Sequence, residues 1–312
     1  MPRSLAMEIL SALASAHRSG SRRDDDGPSG ERDFEVGEFE RLEVAGPFDV
    51  EVETGRSASV RASGPQWALD NLRVEQDGDR LFIGTDGDCD GDVEVVVTVE
   101  RLRAVRSSAS GDMSIDRIDG ELFECASSGS GDLSVDDIAV ERLKLAGSGS
   151  GDIRIGRVGA KEFEACLMGS GDLSLDSVES AELKLAMNGS GDAQVEHCRG
   201  ERFRSILTGS GDLAVESLQS RTVECSIHGS GDLYVGDGRA SEAKLEIAGS
   251  GHMSIEGVEL EKAAISVCGS GDISACVTGD AEIAIMGSGD VGISGGAKCT
   301  VRGSGSGEVR CS

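Results

Sequence analysis

Three aspartates spaced two residues apart, Asp86, Asp88 and Asp90, are the first residues in the chain whose spacing could support chemistry. With Gly91 they match the opening six positions of a calcium-binding loop, in which carboxylates converge on one ion. The twelfth position is Val97, however, where such a loop needs a bidentate glutamate. We therefore expect a solvated acidic loop, with calcium at Asp86, Asp88 and Asp90 as the alternative and no other cofactor.

A second series of carboxylates recurs once in each copy of a GSGD-like tetrapeptide. If the copies stack about 4.8 Å apart, neighbouring carboxylates repel by roughly 1 kcal/mol in water. Hydrogen bonds from turn amides could offset that repulsion, and so could bridging cations. We expect amide bonding, because His252 replaces one aspartate and would damage a row of metal ligands. The motif aspartates are Asp112, Asp132, Asp152, Asp172, Asp192, Asp212, Asp232, Asp272 and Asp290.

The residue types that serve catalysis are present, but their spacing does not assemble them. His197, His228 and His252 fall at different places in the repeat, so no common Ser/His/Asp geometry follows. Acid/base cleavage of a polysaccharide would need one irregular pair of carboxylates, whereas the repeat presents the same aspartate every time. We predict that the protein is not an enzyme, with a carbohydrate-active enzyme as the least favoured alternative.

The cysteines are read as free thiols that serve as small core residues, because several stand where other repeats place Leu, Ala or Val. Their number is odd and no CxxC pair occurs. Free thiols favour a reducing compartment. The nine are Cys89, Cys125, Cys166, Cys198, Cys225, Cys268, Cys276, Cys299 and Cys311.

The elements that position these residues follow from the repeat itself. The tetrapeptide starts at Ala109 and recurs every twenty residues to Gly269; two steps of eighteen residues then lead to Gly287 and Gly305. A fixed period of this length, with apolar residues alternating along each unit, predicts stacked coils around a continuous apolar interior. One outward row alternates in charge at all but one step, as stacked coils would favour. It consists of Glu124, Lys144, Glu164, Lys184, Arg204, Glu224 and Lys244.

We divide the chain into three parts. Residues 1–33 are predicted to hold a short amphipathic helix and a disordered linker; Glu8 interrupts any secretory signal there. Residues 34–105 are predicted to be a β-rich cap, with a hairpin at Asp77-Gly78 and one helical turn at 67–72. Residues 106–312 form the GSGD-repeat β-helix. No apolar run is long enough to span a membrane.

The repeated SGSGDL, the opening FERLEVAGPFDVEVETG (residues 39–55) and VTVERL (97–102) resemble the family called putative auto-transporter adhesin, head GIN domain. The resemblance covers roughly residues 34–312 and implies an all-β, right-handed parallel β-helix. It also implies a bacterial protein of unknown function that is exported or held at the cell surface. It supplies no catalytic residues.

The charge and the regularity together define the functional prediction. A net charge of −27 disfavours nucleic acids and anionic membrane surfaces as partners. The leading hypothesis is a non-enzymatic structural or interaction module, adhesin-like, that binds a glycan or a protein surface. The alternative is a scaffold that assembles end to end, because both ends of a β-helix expose strand edges.

Overall fold

The computed structural model describes residues 28–87 and 93–312, which form a β-solenoid of about 10 turns. Within these two ranges the helix is α1 (Gln66–Asn71). The strands are β1 (Ser29–Phe34), β2 (Arg41–Val44), β3 (Asp49–Thr54), β4 (Ser59–Pro65), β5 (Leu72–Asp77), β6 (Arg80–Thr85), β7 (Glu94–Val99), β8 (Ala104–Ser107), β9 (Met113–Ser127), β10 (Leu133–Gly147), β11 (Ile153–Leu167), β12 (Leu173–Met187), β13 (Ala193–Leu207), β14 (Leu213–Gln219), β15 (Thr222–Ile227), β16 (Leu233–Gly249), β17 (Met253–Gly269), β18 (Ile273–Gly287), β19 (Val291–Ser294), β20 (Lys298–Gly305) and β21 (Val309–Cys311).

Stacking in register, which the repeat predicts, is confirmed. From β9 to β17, adjacent coils pair in parallel at an offset of twenty residues, so Leu133 lies beside Ile153 and Leu143 beside Phe163. The register shifts between β17 and β18, and the offset is eighteen from β18 to β19 and β20. Within the straight parts of β9 to β18, every second residue therefore points into the interior, where the apolar rows are buried. This continuous column removes from water a surface that a single coil would leave exposed.

The outward row of alternating charges is also in register, because Glu124 pairs with Lys144 and Lys144 with Glu164. The Lys144 ammonium lies 3.3 Å from the Glu124 carboxylate in the coil before it. Lys184 instead contacts Glu182 on its own strand. The row thus indicates stacking correctly, although its ion pairs do not all form between coils.

The motif glycines are needed mainly for close approach between coils, not for the positive φ that turn chemistry suggests. A Cβ atom at Gly129 would lie 1.8 Å from the Ala109 carbonyl oxygen, and one at Gly131 would lie 1.9 Å from that of Gly111. Neither glycine has a positive φ; among the motif glycines, positive values occur at Gly209, Gly269, Gly287 and Gly305. Any side chain at these positions would force neighbouring turns apart.

The N-terminal end is covered by antiparallel strands and the helix. β5 and β6 form the predicted hairpin around Asp77-Gly78, and β1 pairs with β4, which pairs with β7. α1, at the predicted helical turn, buries Ala68 and Leu69 and packs against β1 and β4.

The coils at this end do not stack in chain order. β2 lies between β6 and β8, and β3 lies between β7 and β9. The coil formed by β6 and β7 therefore lies nearer the N-terminal end of the stack than the coil formed by β2 and β3, although β6 and β7 come later in the sequence.

At the C-terminal end a disulfide joins Cys299 to Cys311, so the expectation that all cysteines are free was wrong. Cys299 continues the interior column of Ala281, and Cys311 continues that of Ile293. The bond therefore crosses the interior of the last coil. The two cysteines can meet because the inward side chains of the row that ends at Cys299 become smaller towards the C-terminal end. The row includes Phe123, Phe163 and Phe203 in earlier coils and Ala243, Ala263 and Ala281 in later ones.

The other described cysteines are free as predicted, but only Cys125, Cys198 and Cys225 are buried core residues, and Cys268 is exposed. Cys125, Cys166, Cys198, Cys225, Cys268 and Cys276 are free. Cys89 lies outside the described residues, as does the amphipathic segment predicted near the N-terminus.

Candidate functional site: the acidic face

The outward side chains of the first strand in each coil form one flat surface, which we call the acidic face. It has three parallel columns. The ladder column begins with Asp49 and continues with the motif aspartates from Asp112 onwards. The middle column holds mostly small residues: Ser114, Ser134, Arg154, Ser174, Gln194, Ala214, Tyr234, Ser254 and Ser274. The outer column is again acidic and includes Asp116, Asp136, Asp176, Glu196, Glu216 and Glu256.

Amide hydrogen bonds hold the ladder column together, as predicted. The Asp152 backbone N–H donates to Asp132 Oδ1 at 2.8 Å, and the Asp172 N–H donates to Asp152 Oδ1 at 2.9 Å. The same bond recurs without interruption from Asp49 to His252. A charge-assisted bond at each step offsets the repulsion between neighbouring carboxylates. Each aspartate thus acts as part of the coil-to-coil backbone network.

The small middle column leaves an open groove of about 950 Å³ along the face, bordered by the ladder from Asp49 to Asp212. Arg154 is the basic residue in this stretch, and its guanidinium already lies 3.3 Å from the Asp176 carboxylate in the next coil. The groove is therefore negative along its length and runs across successive coils.

The face departs from the repeat at Arg154 and Gly156, and again around Tyr234 and His252. His252 takes the ladder position, and its Nε2 lies 3.4 Å from Asp272 Oδ2. In the coil before it, Tyr234 occupies the middle column and Gly236 the outer column. The Tyr234 ring is 49% exposed, and its Cε1 lies 3.5 Å from the place of a Cβ at Gly236. The ring therefore leans over the gap that the glycine leaves.

The calcium loop considered from the sequence is only partly described. Asp86 lies 3.2 Å from the Arg73 guanidinium, which gives its carboxylate a cationic partner. Asp88 and Asp90 lie outside the described residues. Elsewhere, within residues 28–87 and 93–312, no three His, Cys, Asp or Glu side chains are grouped to hold a metal ion.

The interior thiols are poor nucleophiles. Burial raises the pKa of Cys125, Cys198 and Cys225 to about 12, because a thiolate in the apolar interior would lose its hydration. They serve as core residues.

Sequence reasoning singled out the ladder but missed the place around Tyr234. The sequence does carry a signal there, because two positions depart from the repeat. Tyr234 is the single tyrosine of the chain, and Gly236 stands where most repeats carry an acidic residue. In a repeat protein, such departures are informative because the other coils supply the reference.

The family model described as putative auto-transporter adhesin, head GIN domain, matches residues 38–199 and 196–297. The chain belongs to this family. The curated proteins offer no match. Across the described residues, no helix is long and apolar enough to cross a membrane.

Several solved structures are similar to this chain in fold. A putative adhesin from Bacteroides fragilis is 15% identical, with 91% of this chain and 97% of that chain covered and a TM-score of 0.42. One from Parabacteroides merdae is 12% identical, covering 92% and 97%, with a TM-score of 0.43. A putative lipid binding protein from Parabacteroides distasonis is 17% identical, covering 92% and 97%, at 0.36. Similarity this low carries no argument about function.

Proposed function

We propose that this protein is a non-enzymatic, adhesin-like interaction module whose acidic face binds an extended, positively charged partner. The observation that carries this proposal is the open groove along the ladder column, which presents one aspartate at every coil from Asp112 to Asp212. Interfaces of complementary charge gain association rate and specificity from that complementarity. A partner with regularly spaced cations suits this surface, whether it is a protein segment or a glycan.

The absence of catalysis is part of the proposal. The ladder carboxylates are alike from coil to coil and accept backbone hydrogen bonds, so their environment does not separate an acid from a base. Location at the cell surface is proposed as well. The family name supports it, and the Cys299–Cys311 disulfide suits an oxidising compartment.

The test is binding of immobilised protein to extended ligands of different charge, namely oligolysine, a neutral oligosaccharide and a sulfated polysaccharide. We expect saturable binding of oligolysine that weakens as salt is added. A triple variant, Asp132→Asn, Asp152→Asn and Asp172→Asn, should weaken it because asparagine keeps the Oδ1 acceptor but removes the charge.

The matched control removes three carboxylates elsewhere on the coils, through Glu121→Gln, Glu201→Gln and Glu261→Gln, which are exposed. Equal loss of binding in both triple variants would show that net charge, not the acidic face, is responsible. Turnover of any polysaccharide would overturn the non-enzymatic assignment.

Self-assembly through the C-terminal end is a second candidate. Among the described residues, β20 pairs only with β18 and β21 only with β19, so each has a free edge. Lys298, Arg302 and Arg310 lie on these strands and, as like charges, oppose pairing with a second copy. Sedimentation at rising concentration decides; a strict monomer eliminates this candidate.

A further inference from the structure

We propose that Tyr234 and the carboxylates around it form a binding point for a lysine side chain of an extended peptide segment. This inference rests on the proposed function of the acidic face and names the chemical group and the place at which the partner is held. Three departures from the repeat meet here: the aromatic ring, the missing side chain at Gly236 and the histidine in the ladder.

The ring is placed as a platform. Tyr234 pairs in register with Ala214 on one side and with Ser254 on the other, and both neighbours are small. With Gly236 beyond it, no bulky side chain stands beside the ring on these three sides. The aromatic surface is half-exposed at 49% and open to a ligand from solvent.

Carboxylates surround this platform. Asp232 lies directly before β16, two residues before Tyr234, and Glu216 and Glu256 lie in the outer column of the coils before and after it. Neither glutamate has an ion pair with another residue in the described part of the chain. An aromatic face attracts a cation within about 6 Å of its centre, and nearby carboxylates add to that attraction.

The chemistry of the site selects a lysine over a neutral sugar. A neutral ligand would dehydrate several carboxylates without giving them a positive partner. A lysine places a compact charge at the end of a flexible apolar stem, which can lie along the small middle column past Ala214 or Ser254. The repeating carboxylates beyond the site would receive further lysines of the same segment.

The chain offers a direct probe, because Tyr234 is its only tyrosine. Protein labelled with ring-¹³C tyrosine gives signals from this ring alone. Titration with a hexalysine peptide is expected to shift them saturably, with the midpoint at the concentration that half-saturates the immobilised protein. Hexaglutamate should leave them unchanged.

Variants separate the ring from the charges. Tyr234→Leu should weaken hexalysine binding by about two- to fivefold, the loss expected for an exposed cation–π contact. Tyr234→Phe, which keeps the aromatic face, should stay close to the wild type. Circular dichroism and melting temperature confirm that both variants fold.

Two results would overturn the inference while leaving the proposed function intact. In the first, hexalysine binds and the Asp-to-Asn triple variant weakens it, but the tyrosine signals do not move and Tyr234→Leu binds normally. In the second, an oligosaccharide that bears amino groups shifts the ring signals at lower concentration than hexalysine. A neutral oligosaccharide that did so would contradict the proposed function as well. If hexalysine does not bind at all, the proposed function fails and this inference fails with it.

Discussion

The two ends of the solenoid are closed in different ways. At the N-terminal end, antiparallel strands and α1 lie over the first coils, and Leu69 of α1 and Leu81 of β6 are fully buried. At the C-terminal end no further element covers the last described coil, and the Cys299–Cys311 disulfide crosses its interior instead. The end of a stack leaves apolar surface and strand edges without a neighbour, so each end needs its own solution.

The comparison indicates that packing covers one end, whereas at the other end a covalent bond links the two strands of a coil in which Val301 and Cys311 stay exposed. A packed cap contributes through buried area, so its loss affects the coils beneath it. A disulfide contributes mainly by restricting the unfolded chain, so its effect concentrates on the segment that it encloses. The following variants test this difference, from the largest expected effect to the smallest.

The N-terminal cap should be the more sensitive end. Leu69→Ala leaves a cavity where α1 meets β1 and should lower the free energy of unfolding by about 2–5 kcal/mol. The control is Asp70→Ala at the next, exposed position, which should change it by less than about 1 kcal/mol. Urea denaturation followed by circular dichroism measures both. Equal effects would mean that the helix contributes little packing.

Removal of the C-terminal disulfide should have a smaller and more local effect. The double variant Cys299→Ala and Cys311→Ala removes a disulfide between residues 12 positions apart. The greater entropy of the unfolded chain should then lower the free energy of unfolding by up to about 3 kcal/mol. Hydrogen exchange should rise within residues 298–312 and remain unchanged around Asp132.

Reduction of the wild-type disulfide should reproduce this result, whereas Cys268→Ala, at an exposed free thiol, should not. Faster exchange throughout the solenoid would show that the disulfide supports the whole stack. No change at residues 298–312 would show that it is not a closure.

A central coil of the solenoid provides the stability effect with which both ends are compared. Asp152→Ala removes the acceptor for the Asp172 N–H and should lower stability by about 1–2 kcal/mol, after relief of repulsion from neighbouring carboxylates. Asp152→Asn keeps the acceptor and should be neutral or slightly stabilising. Thermal melting distinguishes them. If asparagine destabilised as much as alanine, the carboxylate charge would be essential to the ladder.

The smallest effect concerns pH, with one carboxyl at each end. A hydrogen bond from Arg41 lowers the pKa of Asp79 in the cap, and one from Arg310 lowers the pKa of Glu308 in the last coil. Because both pKa values are lower in the folded state, each pair stabilises the fold above the ordinary carboxyl pKa. That contribution is lost as the pH falls through the lowered value.

Carboxyl ¹³C signals followed from pH 6 to pH 2 should show Asp79 and Glu308 titrating below the ordinary Asp and Glu values. Arg41→Gln should return only Asp79 to its ordinary range, and Arg310→Gln only Glu308. A shift of both carboxyls in either variant would contradict independent closure of the two ends.

Most of the repeat region could be predicted because its information is local and periodic. The spacing of GSGD, the apolar rows and the alternation of Glu124, Lys144 and Glu164 all indicate the same register. The amide bonding of the ladder followed from the need to offset repulsion between stacked carboxylates. By contrast, the binding place proposed around Tyr234 required the observed position of the ring relative to Gly236.

The sequence by itself determined the coil, its period and which side chains face inwards, because each depends on residues close together in the chain or one repeat apart. Only the tertiary structure decided that β6 and β7 lie outside β2 and β3, and that Cys299 meets Cys311. Both results depend on contacts between segments with no shared period. Their geometry is set by how the stack ends, where the repeat no longer supplies a neighbouring coil.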